Sequence, residues 1–331
     1  MGGNLFKDRT RRYERGEFET LVRRIERELS PHFADLAMLP TFADKRSFGD
    51  ADFLVALRPG TSLLEVLKQR VGDAPIVRNG PTCSFVVEEL QVDITVFPIE
   101  KMACALMYYG CELGNLLGKI TKVMLGLRLK PEGLFYPVYF QPNRTELLAE
   151  VLLSDDPEAI LNFLDVHPPS GGFESPPQMF QAIRSSRFFH KRVFEEKLNH
   201  EDRRRSRQRK VYQDFLLYIE AIRDESPLSP LDPGRVDAMI EEFFRIPISA
   251  IRAEKIEREA DRKRIRSVLV DTFRSMGCDN QSLGERMRGF LAENPLPGLS
   301  GLSESQIREK VARFLSKPRL EPSRDDESPG P

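Results

Sequence analysis

The chain has few of the residues that form disulfides or zinc sites. It contains 4 cysteines and 4 histidines among 331 residues. Cys83, Cys104, Cys111 and Cys278 have no Cys-x-x-Cys spacing, and the histidines are scattered, so the sequence supports neither a zinc site nor a disulfide framework. Free thiols fit a reducing compartment, which predicts a cytoplasmic or nuclear protein.

Long hydrophobic runs are also missing. The first seven residues lack the apolar core of a secretory signal, and no apolar run approaches the ~18 residues of a membrane span. Phe6 stands where a myristoylation signal has Ser or Thr. We therefore expect no membrane partner, and we find no internal repeat.

The chain also has almost no net charge, because 50 Lys and Arg residues balance 51 Asp and Glu residues. The overall charge thus does not indicate a nucleic-acid partner, although the distribution of charge can. With 40% hydrophobic and 31% charged residues, the chain can bury a substantial core in about two or three domains.

Hydrophobic periodicity predicts an α+β fold, a small mixed sheet with helices on one face. Apolar residues at three- and four-residue spacings predict a helix over 17–30, and a second is predicted over 61–70. Short β-rich runs bounded by turn residues predict the strands, which are 50–57, 75–78, 83–88 and 91–97. From about residue 144 onward the pattern is predominantly helical, and short or charged helices are predicted at 146–153, 157–164, 177–183, 252–266, 281–292 and 303–315.

Two aspartates stand two residues apart in the run 47–55, and a third lies in the run 91–97. Asp50 and Asp52 share one strand face because side chains repeat with period two. Together with Asp93 they form an oxygen-only set that suits Mg²⁺ or Mn²⁺. Two such ions ~3.5–4 Å apart would serve an in-line phosphoryl displacement. Gly-Asp is also common in turns, which is the alternative interpretation.

The stretch 41–52 resembles the DNA polymerase beta superfamily. In that family a Gly-Ser precedes the Asp-x-Asp, and its backbone and hydroxyl hold the outer phosphates of the nucleotide. Pro40-Thr41 stands there in this chain, and Lys45 or Arg46 matches the family's basic residue loosely. The resemblance implies that Thr41, Lys45 and Arg46 contact the β- and γ-phosphates. Otherwise, Lys45 and Arg46 are ordinary solvated charges.

A second segment, 108–134, is similar to the segment that joins palm and thumb in family X polymerases. There a Tyr-Phe pair and a Gly precede a helix whose Asn and Arg, four residues apart, face the nascent base pair. Asn115 and Lys119 keep this spacing, which places them on one helix face, and Gly126 would cap the helix. Lys in place of Arg loses bidentate hydrogen bonding, so the check on base geometry would be relaxed.

The resemblance covers roughly residues 38–136 and implies a nucleotidyltransferase palm. The implied organisation is an N-terminal helix and palm (1–100), a thumb-like subdomain (101–143), a helical, partly basic domain (144–317) and a disordered tail (318–331). Only about thirty residues precede the palm, so a separate N-terminal lyase domain is not expected.

The family's mechanism implies roles for the carboxylates. Asp50 and Asp52 would hold the metal bound to a nucleoside triphosphate, and all three aspartates would hold a second metal at the primer 3′-oxygen. Asp93 would also accept the proton of the 3′-hydroxyl.

The family also implies roles for the second segment. Tyr108 and Tyr109 would pack under the sugar, where a bulky pair can exclude a 2′-hydroxyl. Asn115 would contact sugar and base, and Lys119 the minor groove of template or primer. Without the flanking match, two adjacent tyrosines are ordinary core or cleft residues.

A dense basic cluster between 187 and 224 is the strongest nucleic-acid candidate. An apolar stripe at Tyr212, Phe215, Leu216 and Ile219 would anchor its helix, with the basic end towards a phosphate backbone. A solvated face with internal Glu and Asp partners is the alternative. The residues predicted to bind nucleic acid, DNA in preference to RNA, are Arg203, Arg204, Arg205, Arg207, Arg209 and Lys210.

Three functions stay open at this point. The first is a compact, metal-dependent DNA polymerase, and the second is a template-independent or RNA-directed nucleotidyltransferase, because a fold does not fix a function. Asn115 and Lys119 discriminate these two functions, since the two residues matter only where a base pair lies.

The third function is that of a nucleic-acid-binding or assembly protein with a degenerate site. The missing Gly-Ser favours this third function, whereas the three aspartates argue against it. The helical region also offers a surface for a protein partner.

Overall fold

The computed structural model describes residues 5–72, 74–141, 145–196, 198, 200–223 and 226–316. Their backbone divides into two compact units, Met1–Pro137 with Glu150–Ile248, and Val138–Ala149 with Ser249–Pro331. The predicted disordered tail lies outside the described residues, and the predicted domain boundaries stay predictions. Among the described helices, none has the length and apolar character to cross a membrane.

The elements confirm a mixed α+β composition. The strands are β1 (Tyr13–Glu14), β2 (Asp35–Met38), β3 (Ser47–Phe48), β4 (Asp50–Ala56), β5 (Val77–Asn79), β6 (Thr82–Val87), β7 (Leu90–Val96), β8 (Arg128–Lys130), β9 (Gly133–Tyr139) and β10 (Leu147–Ser154). The helices are α1 (Arg15–Leu29), α2 (Leu63–Val71), α3 (Met102–Tyr109), α4 (Leu113–Ile120), α5 (Pro157–Phe163), α6 (Pro176–Ser185), α7 (Arg192–Glu195), α8 (His200–Gln208), α9 (Lys210–Glu220), α10 (Pro233–Phe244), α11 (Ile248–Ser275), α12 (Asn280–Glu293) and α13 (Glu304–Leu315).

A five-stranded mixed sheet lies at the centre of the first unit, in the order β2-β4-β7-β6-β5. Strands β4 and β7 are parallel, and the other neighbouring pairs are antiparallel. The four predicted strands are therefore confirmed, with ends shifted by one or two residues. The short strands β1, β2 and β3 were not predicted, since runs of two to four residues show no clear alternation.

Helices cover both faces of this sheet, which corrects the prediction of one covered face. Phe53 and Val55 of β4 belong to the core that contains the buried side chains of α1 and α2. Leu54 and Ala56 point to the other face and pack with Met102 of α3. A strand that is apolar at consecutive positions is typical of a sheet buried on both sides, and this signal was present in the sequence.

Helix α1 holds the loop that precedes β3. Its apolar residues face the core, and Phe18 stacks on Phe48 with ring centroids 3.9 Å apart. At the helix start, the Arg15 guanidinium donates hydrogen bonds to the carbonyls of Phe42, Ala43 and Lys45. One side chain therefore fixes the loop that carries Lys45 towards the aspartates.

The helix predicted over 146–153 is wrong, because this segment is strand β10. It joins β8 and β9 in a three-stranded sheet of order β10-β9-β8. The Glu150 carboxylate accepts from Arg128 at 2.8 Å and also from Lys130, both on β8. Pairing between distant segments has overridden the local helical pattern.

The basic segment between 187 and 224 forms α7, α8 and α9 instead of one helix. Arg209 lies between α8 and α9 with extended backbone angles, φ −108° and ψ 110°. Tyr212, Phe215 and Ile219 of α9 are buried, as the predicted stripe requires. Phe215 packs against Phe194 with ring centroids 4.8 Å apart, so the aromatic core fixes the direction of α9.

The second unit has its own helical core. Phe273, Phe290 and Phe314 of α11, α12 and α13 pack edge to face, with centroids 5.5 to 6.4 Å apart. A capping box at Ser303 and Gln306 begins α13. The helices predicted at 281–292 and 303–315 are confirmed, and the one predicted at 252–266 is the longer α11.

Candidate metal centre and its cavity

The three predicted aspartates lie together at the start of two parallel strands. Asp52 on β4 stands opposite Asp93 on β7, and Asp50 stands opposite Gln91 one step earlier. Alternation puts all four side chains on one sheet face. Each aspartate offers a carboxylate oxygen, and these oxygens lie within 4.8 Å of one another. The parallel register thus assembles a group that can hold a metal ion.

The charge of this group is poorly compensated. Among the described residues, no ion pair involves Asp50, Asp52 or Asp93. Desolvation, together with the neighbouring Asp50 and Asp93 carboxylates, raises the pKa of Asp52 to about 7. Desolvation also raises the pKa of Asp50, with Lys45 acting in the opposite direction. Asp52 remains accessible to solvent through a cavity while protein surrounds it elsewhere. Such a set is stabilised by a cation.

Gln91 positions the third aspartate. Its amide nitrogen donates to both oxygens of Asp93, at 3.1 and 2.9 Å, and its side chain is buried. Its amide oxygen accepts from the backbone of Leu5. The sequence analysis missed Gln91, although its position two residues before Asp93 already placed it on the same strand face.

We expect Asp52→Asn to stabilise the metal-free protein at pH 8, by about 1 kcal/mol because solvent in the cavity screens part of the repulsion. The folded-state pKa lies above the unfolded value, so the native carboxylate binds a proton more readily than the unfolded one. The wild type therefore regains this stability as the pH falls from about 7 towards 4. Thermal unfolding in chelator at pH 8 and pH 4 measures the difference. An equal gain at both pH values would contradict this explanation.

A cavity of about 780 Å³ opens over the aspartates and falls within the size range of small-molecule sites. Its lining combines carboxylates, hydroxyls, aromatic rings and guanidinium groups. The residues are Leu39, Asp52, Phe53, Leu54, Pro81, Thr82, Asp93, Thr95, Tyr108, Tyr109, Glu112, Asn115, Pro131, Arg204, Arg205, Gln208 and Arg209. The cavity therefore joins an acidic floor to a basic wall.

The predicted tyrosines form part of this wall. Tyr108 and Tyr109 meet edge to face with ring centroids 5.3 Å apart, and Tyr109 is exposed. A Cβ on Gly114 would come within 2.4 Å of the Tyr108 ring, so glycine is required for this approach. Cys111 and Glu112, which lie between the tyrosines and Gly114 in the chain, adopt left-handed backbone angles, with φ 55° and 66°. Strain of this kind is often retained where it aims a side chain.

Glu112 connects the two predicted regions of the site. Its carboxylate accepts from Asn115 at 2.7 Å and from Arg209 at 2.8 Å. Asn115 lines the cavity, and its amide donates to Glu112; its predicted contact with sugar and base stays a prediction. The sequence analysis did not single out Glu112, because only the fold brings residue 209 beside it.

Two threonines line the cavity beside Asp93. Thr95 follows Asp93 on the same face of β7, and Thr82 stands opposite it on β6. Their hydroxyls are 2.8 Å apart and hydrogen bonded. They add neutral hydroxyl groups beside the charged residues of the lining, and no sequence pattern predicted them.

The predicted phosphate contacts lie outside this lining. Lys45 packs its ammonium 4.7 Å from the centre of the Phe48 ring and acts electrostatically on Asp50 and Asp52. Thr41 is partly buried, and Arg46 is exposed. Among these three, only Lys45 has a described interaction with the aspartates.

Lys119 does not occupy the surface position that a minor-groove contact requires. It is 7% exposed, and its ammonium pairs with Asp202 of α8, which is 4% exposed. Lys119 is turned away from solvent because its ammonium pairs with the buried Asp202 carboxylate of α8. Lys119 ties the basic helix to the segment that carries Asn115.

The predicted basic cluster divides into two groups. Arg204, Arg205 and Arg209 line the cavity, whereas the other three do not. Arg203 donates to the backbone carbonyl of Leu198. Arg207 is exposed, and Lys210 pairs with Asp214 one turn along α9.

Comparisons with known proteins add no further constraint. No protein-family model matches the chain, and no curated protein is significantly similar to it. The functional argument therefore depends on the residues and the geometry of the site.

Proposed function

We propose that the protein is a metal-dependent nucleotidyltransferase that adds nucleotides to a nucleic-acid 3′ end. The observation that carries the proposal is the cluster of three aspartates, whose negative charge no described ion pair compensates; two of them, Asp52 and Asp93, line a cavity with arginines in its wall. This arrangement suits a substrate that brings both phosphate and divalent cations.

The donor set fits Mg²⁺ or Mn²⁺, which prefer carboxylate oxygens. Asp50, Asp52 and Asp93 would hold two such ions. When bound, these ions would stabilise charge on the transferred phosphoryl group and on the attacking and leaving oxygens. The order of the two motifs along the chain and the palm-like sheet support the resemblance to the DNA polymerase beta superfamily.

The protein's own groups would orient the reactants. Gln91 holds the Asp93 carboxylate in place, and an Asp93 oxygen would accept the proton of the attacking 3′-hydroxyl. Tyr108 and Tyr109 would supply an aromatic surface for sugar or base, and Asn115 a polar contact. Holding the reactants in this cavity would replace an encounter in solution by a positioned reaction.

The site has features that a degenerate binding protein does not need. Desolvation and the neighbouring Asp50 and Asp93 carboxylates raise the pKa of Asp52, so its charged form is unfavourable without a cation. A protein that only binds nucleic acid gains nothing from such a cost, and a neutral substitution would remove it. This supports an active enzyme over an assembly protein.

A second candidate, addition without a template, is favoured by one observation. The predicted pair Asn115 and Lys119 would inspect a base pair only if both faced the cavity. Lys119 is buried against Asp202, so one member of that pair is engaged elsewhere. A templated DNA polymerase would need another group to inspect the base pair.

Extension of a labelled 3′ end tests the proposed function. Purified protein is incubated with Mg²⁺ or Mn²⁺, with deoxy- or ribonucleotides, and with templated DNA, single-stranded DNA or RNA; Asp50→Ala serves as the control. We expect metal-dependent incorporation that the control lacks. Incorporation dictated by the template supports a polymerase, and untemplated addition to one acceptor supports the second candidate. Absence of incorporation under every condition contradicts nucleotidyl transfer.

A further inference from the structure

The basic helix α8 divides along its length into residues that face the cavity and residues that do not. Arg204, Arg205, Gln208 and Arg209 line the cavity, at positions i, i+1, i+4 and i+5. Arg204 and Gln208 form one i,i+4 row of α8, Arg205 lies beside them, and Arg209 follows directly after the end of the helix. Arg203 and Arg207 form a separate row that does not line it.

Three arginines stand along one wall of the cavity, across from the carboxylates of its floor. Arg209 pairs with Glu112 at 2.8 Å, and Arg205 lies 4.0 Å from the Asp202 carboxylate, which is already paired with Lys119. A divalent cation at the aspartates would further reduce the negative charge that the cavity presents to the arginines. The guanidinium groups of this wall are then the positively charged groups of the cavity lining that a phosphate group beside the cation would meet.

The loop 41–46 contributes no residue to the lining of the cavity. Thr41, Lys45 and Arg46 do not line the cavity, and Pro40 packs against Gly110 instead of presenting a backbone amide. Proline has no N–H to donate to a phosphate oxygen.

We propose that Arg204 and Arg205 of α8, together with Arg209 directly after it, hold the triphosphate of the incoming nucleotide, a role that the family resemblance implied for the loop 41–46. This inference rests on the proposed function and names the specificity-determining residues of the same site. Arginine suits the task because its guanidinium donates paired hydrogen bonds to phosphate oxygens. Glu112 occupies Arg209 in the free protein, and a phosphate group would replace that carboxylate.

The contacts of α8 explain how an exposed helix can act as a fixed wall. The buried Lys119–Asp202 pair joins its first turn to α4, and Arg209 joins its end to Glu112. Two attachment points at opposite ends limit the directions in which the arginines can point.

Binding of inorganic tripolyphosphate and of ATP to the full chain, measured by calorimetry with Ca²⁺ present, tests this proposal without turnover. The test variant is Arg204→Gln with Arg209→Gln, and the matched control is Arg203→Gln with Arg207→Gln, which removes the same charge from the same basic segment. AMP is the ligand control, since it lacks the β- and γ-phosphates. Thermal unfolding verifies that each variant folds.

We expect the test variant to weaken binding of tripolyphosphate and ATP about tenfold or more, and AMP binding less than twofold. The control variant should bind all three within about twofold of wild type. Equal losses in both variants would show general electrostatic attraction and overturn the proposal. Unchanged ATP binding in the test variant would overturn it while leaving nucleotidyl transfer intact. If wild type binds neither ATP nor tripolyphosphate, this proposal and the proposed function both fail.

If α8 does not form in the test variant, a single Arg204→Lys replacement tests the role of the guanidinium instead. It keeps the charge and removes the paired donors. We expect an intermediate loss of tripolyphosphate affinity with an unchanged unfolding temperature, and affinity equal to wild type would contradict a role for the guanidinium.

Discussion

Asp93→Asn is expected to lower nucleotide incorporation by about 10³-fold while leaving the fold intact. The amide matches the carboxylate in shape, and β7 keeps its pairing with β4 and β6. The substitution removes one negatively charged ligand oxygen and the group that would accept the proton of the 3′-hydroxyl. Single-turnover extension assays at saturating nucleotide, with far-ultraviolet circular dichroism as the folding check, measure the effect.

Asp35→Asn is the matched control for this experiment. Asp35 is exposed on β2, next to β4, but it pairs with Ala56 at the end of β4 far from Asp50. We expect incorporation within about twofold of wild type, because the charge change is equal and the distance from the centre is large. If Asp93→Asn retains comparable incorporation, the assignment of the three aspartates fails.

Lys119→Met is expected to destabilise the first unit by about 3 kcal/mol. The change leaves the Asp202 carboxylate buried, with Arg205 at 4.0 Å as the remaining described basic partner. Removing one member of a buried ion pair costs more than the pair contributes, because the remaining charge has lost its partner. The midpoint of the first urea-induced unfolding transition measures the loss.

Two further variants separate this explanation from a packing effect. Lys119→Met combined with Asp202→Leu removes both charges, and we expect most of the stability to return. Lys122→Met changes an exposed lysine three residues away and should have an effect below about 0.5 kcal/mol. A double variant that is as unstable as Lys119→Met would show that shape, not charge, determines the loss.

The acidic centre could be predicted because it depends on short-range rules. Alternation along β4 put Asp50 and Asp52 on one face, and the β-rich run 91–97 carried Asp93. The parallel register that places Asp93 opposite Asp52 is a tertiary fact, and the periodicity alone did not predict it.

The basic wall could not be placed in the same way. The sequence identified an arginine-rich segment, but nothing local distinguished Arg204 from Arg203 or showed that α8 ends beside Glu112. That distinction depends on the Lys119–Asp202 pair, which joins residues 83 positions apart. Lys119 was wrongly predicted to lie at a nucleic-acid surface for a related reason. The i,i+4 spacing defines a helix face, but it does not show what covers that face.

The error at β10 has a similar origin. Leu147, Leu148, Val151 and Leu152 have helical spacing, yet the segment pairs as a strand and Glu150 bonds to β8. Local propensity is a weak indicator where a neighbouring strand offers hydrogen-bond partners and burial.

The most direct test of the proposed function is a crystal structure of the full chain with Mn²⁺ and a non-hydrolysable nucleoside triphosphate, collected to record the anomalous signal of manganese. We predict manganese bound among Asp50, Asp52 and Asp93, with the triphosphate extending towards Arg204 and Arg209. Manganese or nucleotide bound away from the three carboxylates, or a site that stays empty at millimolar concentrations, would contradict nucleotidyl transfer at this centre.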